Sequence, residues 1–229
     1  MKKSLAVFAA VLTAVFTLFL CAGFASAQEK GAPIALFQSA DLDDWDFFLD
    51  DPALKKSDVW EFRDSGVLYC KGMPFGWLAT KELYQNFRFT VEYRWPEGEK
   101  GSNSGIFLRI TGDPCTLPCC VECQLKAGNA GDFFGFDGRK IVGSPDRSKS
   151  SPQEGRGNLF VVSGFERNEK PESEWNQLEI VCQEGTIIAV LNGRVVNWTL
   201  NGDAPAGKLG LQSEGGPIEF RSAILTPLP

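Results

Sequence analysis

The stretch from Gly101 to Leu125, in which side chains alternate at 106–110 and again at 121–125, constrains the fold more than any other feature. Its apolar positions are Ile106, Leu108 and Ile110, and then Val121, Cys123 and Leu125. Because successive side chains of a β-strand point to opposite faces, the pattern predicts two half-buried strands joined by a cysteine-rich loop. As neighbours, these strands would present Arg109, Glu122 and Gln124 together on the face away from the core.

The rest of the chain shows short strand patterns separated by turn signals. Phe87 to Trp95 alternates cleanly, and Asn192-Gly193 is typical of a two-residue hairpin turn. No long helical pattern and no internal repeat is found. About a dozen short strands of this kind predict an all-β sandwich or barrel with antiparallel strands.

A glycine-rich region follows the central strand pair. It runs from Ala127 to Gly157 and contains Phe133, Phe134 and Phe136. Such stretches are usually functional loops, so we expect a loop that wraps the rim of a cleft. Burial of the three phenylalanines under the loop is favoured over stacking on a ligand.

The first residues are typical of a bacterial secretory signal peptide. Lys2 and Lys3 precede an apolar run, and Ala25-Ser26-Ala27 supplies a cleavage site. We therefore expect a signal peptide at 1–27, a single domain at 28–229, and export to the periplasm or the medium. An uncleaved anchor and a lipoprotein signal at Cys21 are the alternatives.

Charge and composition exclude several classes of function. The chain carries a net charge of −6 and has no basic cluster, which argues against nucleic acid and anionic membranes as partners. No apolar run after the first residues reaches membrane length. There is no histidine, so Ser-His-Asp and Cys-His mechanisms are excluded.

Cysteine spacing predicts a local disulfide cluster. Cys115, Cys119, Cys120 and Cys123 lie close together in CTLPCCVEC, and an exported protein with an even cysteine count favours disulfides. Zinc is the alternative, but a tetrathiolate site normally joins two separated pairs. If Cys123 faces the core, it pairs with a distant cysteine or simply packs. The pattern predicts no metal site and identifies no cofactor.

Several segments together resemble the 3-keto-disaccharide hydrolase domain family. They are LFQSADLDDW, NFRFTVEYRW, GSNSGIFLRI, VECQL, PESEWNQLEIVCQEGTIIAVLNGRVV and AGKLGLQSEGGPIEFRSAILTPL. The resemblance implies a jelly-roll β-sandwich of the concanavalin A-like lectin and glucanase type. It also implies carbohydrate chemistry outside the cytoplasm, on sugars oxidised at carbon 3. Many relatives carry an acidic residue and a histidine after G-L-Q, whereas this chain has Ser213-Glu214-Gly215.

A ketone at carbon 3 acidifies the hydrogen at carbon 2, so a base can start an elimination that expels the group at carbon 1. We predict Glu122 as that base and Arg109 as the cation that stabilises the enolate. Asn103 and Gln124 would bind hydroxyl groups of the substrate. The alternative is a structural ion pair between Arg109 and Glu122, because a nearby cation lowers the pKa of a carboxylate and makes it a poor base.

Two more side chains complete the predicted substrate site, namely Gln212 and Glu214. Ordinary hydrolysis by a carboxyl pair, Glu122 and Glu214, is a variant of the mechanism. The sequence thus predicts an exported enzyme that cleaves 3-keto-glycosides, with an oxidised glycoside or glycan as its partner. A carbohydrate-binding sandwich without catalysis and a scaffold domain are the competing functions, since folds of this shape host several.

Overall fold

Strands make up almost all the regular structure of the residues that are described. A computed structural model describes residues 31–38, 41–63 and 66–229, and the predicted signal peptide lies outside them. The strands are β1 (Ile34–Ala35), β2 (Trp45–Leu49), β3 (Trp60–Arg63), β4 (Val67–Cys70), β5 (Gly76–Thr80), β6 (Phe87–Arg94), β7 (Gly105–Thr111), β8 (Cys119–Gln124), β9 (Phe133–Gly135), β10 (Ile141–Val142), β11 (Ser148–Gln153), β12 (Arg156–Val162), β13 (Asn176–Gln183), β14 (Thr186–Leu191), β15 (Arg194–Asn201), β16 (Lys208–Ser213) and β17 (Ile218–Pro227). One 3-10 helix covers Lys56–Asp58.

The strands form two antiparallel sheets. The nine-stranded sheet has the order β10-β15-β14-β13-β6-β17-β4-β3, with β1 added beside β17. The eight-stranded sheet has the order β11-β12-β9-β8-β7-β16-β5-β2. The predicted all-β sandwich is therefore confirmed. In the part of the chain that is described, no helix has the length and apolarity needed to cross a membrane.

The main core lies between the two sheets and follows from the alternation. On β6, Phe87, Phe89 and Val91 are fully buried, and Ile106 and Leu108 of β7 belong to the same cluster. Each such side chain contributes about 1.5–3 kcal/mol when it leaves water. This burial fixes which face of the eight-stranded sheet points outwards, and so it positions the opposite set of side chains.

A second, smaller apolar cluster covers part of that outer face. It contains Trp77, Phe107 and Cys120, and Leu117 of the β7–β8 loop packs against it. The Trp77 indole Nε1 donates a hydrogen bond to the carbonyl of Cys115 in the same loop, at 2.9 Å. The loop therefore covers one part of the outer face, and polar side chains occupy a neighbouring part.

The expected long loop at 127–157 is wrong, because three short strands form there. β9 pairs with β8 and with β12, and this pairing satisfies its backbone groups. Gly135 permits a tight return of the chain, since a Cβ at that position would lie 1.9 Å from the carbonyl oxygen of Arg139. The glycines that suggested irregular structure instead allow close packing between very short strands.

The predicted disulfides are not formed. All six cysteines of the described residues are free, including Cys115, Cys119, Cys120 and Cys123. Cys123 faces the core as expected, where Cys182 is also buried. Burial raises the pKa of the Cys182 thiol to about 12 and that of Cys70 to about 11, so both are held as neutral thiols. Cysteines that are close in the sequence do not form disulfides here. Alternation along β8, for example, places Cys120 and Cys123 on opposite faces of the sheet.

Candidate functional site

Five polar side chains meet on the outer face of the eight-stranded sheet. This polar cluster consists of Asn103, Glu122, Gln124, Gln212 and Glu214. Strand register brings its members together: Gly105 is paired with Gln124, and Asn103 forms a bridge with Glu214. The structure therefore brings together the predicted site residues, with the exception of Arg109.

Glu122 lies at the floor of the polar cluster. Only 2% of it is exposed, and its Oε1 atom has no hydrogen-bond partner. Its side chain extends over Gly105 of the neighbouring strand, where a Cβ would lie 2.0 Å from Oε1. Burial raises the pKa of Glu122 well above its usual range, and the nearby Glu214 raises it further. This environment favours the protonated carboxylic acid.

Glu214 belongs to the same cluster but has a different environment. It is partly exposed, and it accepts side-chain hydrogen bonds from Asn103 and Gln212. Burial raises the pKa of Glu214, whereas these hydrogen bonds and the charge of Lys126 oppose the rise. The pKa of both carboxyl groups is thus raised by burial, but in Glu214 hydrogen-bond donors and a nearby cation oppose the rise, whereas Glu122 has no such opposition.

The polar cluster contains three buried acceptor oxygens, one of them on Glu122 itself. Asn103 Oδ1, Glu122 Oε1 and Gln212 Oε1 are all buried without a hydrogen-bond partner in the described residues. Buried polar atoms in proteins are nearly always hydrogen-bonded, so these three oxygens call for donors, which a water molecule or a ligand that enters the cluster would supply. A ligand with several hydroxyl groups, such as a sugar, supplies such donors.

Side chains that could hold a metal are sparse. Among the residues that are described, no group of three or more His, Cys, Asp or Glu side chains is placed to hold a metal ion. Carboxamide and carboxyl oxygens are the only hard ligands that the polar cluster offers. The arrangement is better suited to proton transfer between carboxyl groups and a polyhydroxylated ligand.

Gln124 is oriented mainly by the chain that follows it. Its Oε1 accepts hydrogen bonds from the backbone N–H groups of Leu125 and Lys126, at 2.9 and 2.8 Å. The carboxamide therefore stabilises the exit from β8. A role for Gln124 in binding hydroxyl groups stays a prediction, and it would fall to the amide nitrogen.

The prediction that Arg109 shares a face with Glu122 is wrong. The β7–β8 register shifts between Leu108 and Thr111, and Arg109 adopts a φ of 56°. This bulge turns the side chain towards the nine-stranded sheet, where only 1% of the residue is exposed. A bulge inserts one residue into the alternation and re-aims the side chain at that point.

The Arg109 guanidinium instead forms hydrogen bonds to three chain segments that are distant in sequence. It donates to the carbonyl oxygen of Gln85 through Nε and Nη2, at 2.9 and 2.7 Å. It also donates to the carbonyl of Glu184 at 3.0 Å and to Asn201 Oδ1 at 3.3 Å. These contacts make Arg109 a structural residue, so neither the predicted enolate stabilisation nor the alternative ion pair with Glu122 exists.

The aromatic neighbours of the polar cluster are two of the three phenylalanines whose burial the sequence favoured over stacking on a ligand. Phe134 lies directly opposite Glu122 in the β8–β9 register. The Phe134 and Phe136 rings stack at 6.1 Å, and both residues are only partly buried. The two-residue spacing of these phenylalanines was a usable signal for a strand with an aromatic face.

Comparison with known proteins identifies a carbohydrate-related family. A family model described as a 3-keto-alpha-glucoside-1,2-lyase-like domain matches residues 32–225. A search of the curated proteins found no match. The family match covers β1 to β16, most of β17 and the whole polar cluster.

Solved structures share the fold at low identity. A Parabacteroides distasonis protein described as a glycosyl hydrolase is 18% identical with a TM-score of 0.61, covering 88% of this chain and 100% of that chain. The carbohydrate-binding module CBM66 from Bacillus subtilis is 11% identical with a TM-score of 0.56, covering 79% and 93%. The kappa-carrageenase of Pseudoalteromonas carrageenovora is 9% identical with a TM-score of 0.54, covering 90% and 98%. These likenesses establish a sandwich fold common to glycanases and carbohydrate-binding modules.

Proposed function

Because the chain belongs to the 3-keto-alpha-glucoside-1,2-lyase-like domain family, we propose that it cleaves 3-keto-glycosides by elimination at carbons 1 and 2. The observation that carries this proposal is the pairing of two carboxyl groups with different environments on one sheet face. Glu122 is buried and favours its acid form, whereas Glu214 is partly exposed and accepts hydrogen bonds from two carboxamides. Such a pair is suited to one proton donor and one base.

Glu214 is the base in this proposal. It takes the proton from carbon 2 of the sugar, and the electron pair of that bond passes into the ketone to give an enolate. Collapse of the enolate re-forms the ketone and makes the double bond between carbons 1 and 2. The bond from carbon 1 to the leaving oxygen breaks, and that oxygen keeps the electron pair.

Glu122 is the proton donor to the leaving oxygen. This assignment replaces the role of base that the sequence suggested, because a carboxyl group in its acid form is far too weak a base to take the carbon 2 proton. Return of a proton from Glu214 to Glu122, directly or through solvent, restores the starting state. The amide groups of Asn103 and Gln212 donate hydrogen bonds to Glu214 and so orient it.

Turnover of methyl 3-keto-α-D-glucoside, followed by methanol release, tests the proposal. We expect wild-type protein to release methanol, and we expect Glu122→Gln and Glu214→Gln each to lower kcat by about 10²–10⁴-fold, the usual contribution of a general acid or base. Glu154→Gln serves as the matched control, since Glu154 is exposed in the β11–β12 turn away from the cluster. No methanol release by the wild type, or equal rates in all variants, would refute the proposal.

A carbohydrate-binding module without catalysis is the second candidate. The observation in its favour is the burial of Glu122, of which only 2% is exposed. In that case, the unpartnered oxygens of the polar cluster would accept hydrogen bonds from a bound glycan that is not cleaved. Calorimetric binding of a 3-keto-glucoside that is recovered unchanged would favour this function over the enzyme.

A further inference from the structure

Four half-buried apolar side chains continue the outer face beyond Glu122. This apolar strip consists of Phe134, Phe136, Leu159 and Val161. We propose that the apolar strip binds the leaving group of the substrate and that this group is an aromatic aglycone. The inference rests on the proposed function for its catalytic meaning, while the binding that it predicts is measured independently of turnover.

The register of three strands places the apolar strip next to the candidate acid. Phe134 of β9 is the direct partner of Glu122 on β8, and Val161 of β12 is the direct partner of Phe134. Leu159 lies two residues before Val161 and therefore shares its face. A group attached to a sugar at the polar cluster needs to extend only one strand further to reach these side chains.

The aromatic part of the apolar strip is held in place before any ligand binds. The Phe134 and Phe136 rings stack at 6.1 Å with an interplanar angle of 17°. Phe136 packs edge to face on Phe107, at 6.3 Å and 73°, and Phe107 is fully buried in the second apolar cluster. A ligand can therefore contact ring faces that are already ordered, so binding costs little side-chain conformational entropy.

The chemistry of the strip distinguishes an aryl group from a second sugar. Phenylalanine, leucine and valine side chains offer no hydrogen-bond partners, so a second sugar ring placed on them would lose partners for its hydroxyl groups. An aromatic ring instead gains offset or edge-to-face packing against the phenylalanines. The hydrogen-bonding groups lie on the other side of Glu122, at Asn103, Gln212 and Glu214, where the sugar itself would sit.

Calorimetric titration with three unoxidised ligands tests this inference. The ligands are phenyl α-D-glucoside, methyl α-D-glucoside and maltose, which share the same first sugar. We expect the phenyl glucoside to bind most tightly. Phe134→Ala should weaken its binding about tenfold, the effect of losing one aromatic contact and its buried area, and should change the other two by less than about twofold.

Two further variants make the result interpretable. Phe134→Leu keeps an apolar side chain and should give an intermediate loss, and it replaces Phe134→Ala if that variant does not fold. Phe165→Ala removes a phenylalanine that is 50% exposed and hydrogen-bonded through its backbone to β15 of the other sheet, and it should leave all three affinities unchanged.

The outcomes separate this inference from the proposed function. Preference for the phenyl glucoside that depends on Phe134, in a protein that cleaves no 3-keto-glucoside, would leave the aryl site standing and refute the enzyme. Cleavage of 3-keto-glucosides by a protein with equal affinity for phenyl and methyl glucosides would do the reverse. Failure of the wild type to bind the phenyl glucoside, or tighter binding of maltose, would also overturn the aryl site.

Discussion

Glu122 lies across Gly105, so that a Cβ atom at Gly105 would fall 2.0 Å from the carboxyl oxygen Oε1. The absence of a side chain on β7 thus determines where an acid on β8 can be placed. The backbone of Gly105 is not in the left-handed region, so glycine is needed there because a side chain would not fit beside Glu122. The glycine of N-S-G-I-F therefore has a role in the candidate site that is distinct from turn formation.

Gly105→Ala should displace the Glu122 carboxyl group. We expect the free energy of unfolding to fall by about 1–3 kcal/mol, as for other insertions into packed sites, and methanol release to fall at least about tenfold because the acid is misplaced. Chemical denaturation and the turnover assay measure the two effects.

The double variant Gly105→Ala/Glu122→Ala is the control for that prediction. Removing the carboxyl group makes room for the new methyl group, so the stability cost of Gly105→Ala should largely vanish in the Glu122→Ala background. Simple additivity of the two stability changes would contradict the contact that we describe.

The pH dependence of stability should report the buried acid. Burial raises the folded-state pKa of Glu122 above its unfolded value. The stability that its proton contributes is therefore complete below the unfolded-state pKa and is lost as the pH rises through the folded-state pKa. Glu122→Gln carries no such proton, so wild type should lose stability relative to this variant as the pH increases. Denaturant unfolding at a series of pH values measures this, and parallel pH curves would exclude a raised pKa.

Arg109→Met should destabilise the sandwich without disabling its chemistry. The substitution leaves the carbonyl oxygens of Gln85 and Glu184 without their donor, and each buried acceptor left unpaired costs about 1–3 kcal/mol. We expect a loss of roughly 3 kcal/mol in unfolding free energy and a kcat within about twofold of wild type for the folded fraction. A kcat loss of a hundredfold at unchanged stability would return Arg109 to the catalytic site.

Alkylation of the native protein should distinguish the free thiols by burial. Cys115 and Cys119 are partly exposed and should react with iodoacetamide, whereas Cys123 and Cys182 are fully buried and should react only after unfolding. Peptide mapping by mass spectrometry identifies the labelled sites. Cys115 or Cys119 that resists labelling until a reductant is added would indicate a disulfide.

Alternation in the sequence was sufficient to predict an all-β fold and the outward facing of most of the candidate site residues. Glu122 and Gln124 point outwards because Val121, Cys123 and Leu125 are drawn into the core. Side-chain facing in a regular strand follows only from the two-residue repeat of the backbone and from the burial of apolar side chains. Both can be read from the sequence of the strand itself.

Alternation alone does not predict the direction of the Arg109 side chain. A bulge of a single residue reverses the facing of a side chain, and it depends on contacts with distant segments. A Cβ at Gly207, for example, would lie 2.4 Å from the carbonyl carbon of Arg109. The alternation of side chains along β7 does not indicate that the backbone at Gly207 approaches Arg109 so closely.

The position of Phe134 beside Glu122 was not predicted for a related reason. β9 has only three residues, so its pattern is too short to identify, and its partnership with Glu122 is set by pairing across the sheet. The raised pKa of Glu122 could not be predicted from the sequence either, because it follows from burial that depends on the whole packed face.

Deuterium exchange at carbon 2 of methyl 3-keto-α-D-glucoside in heavy water tests the division of labour between Glu214 and Glu122 most directly. We expect Glu122→Gln still to exchange the carbon 2 hydrogen, seen by NMR, while it releases almost no methanol, and we expect Glu214→Gln to do neither. Loss of exchange in Glu122→Gln together with retained exchange in Glu214→Gln would contradict the account, because it would make Glu122 the base.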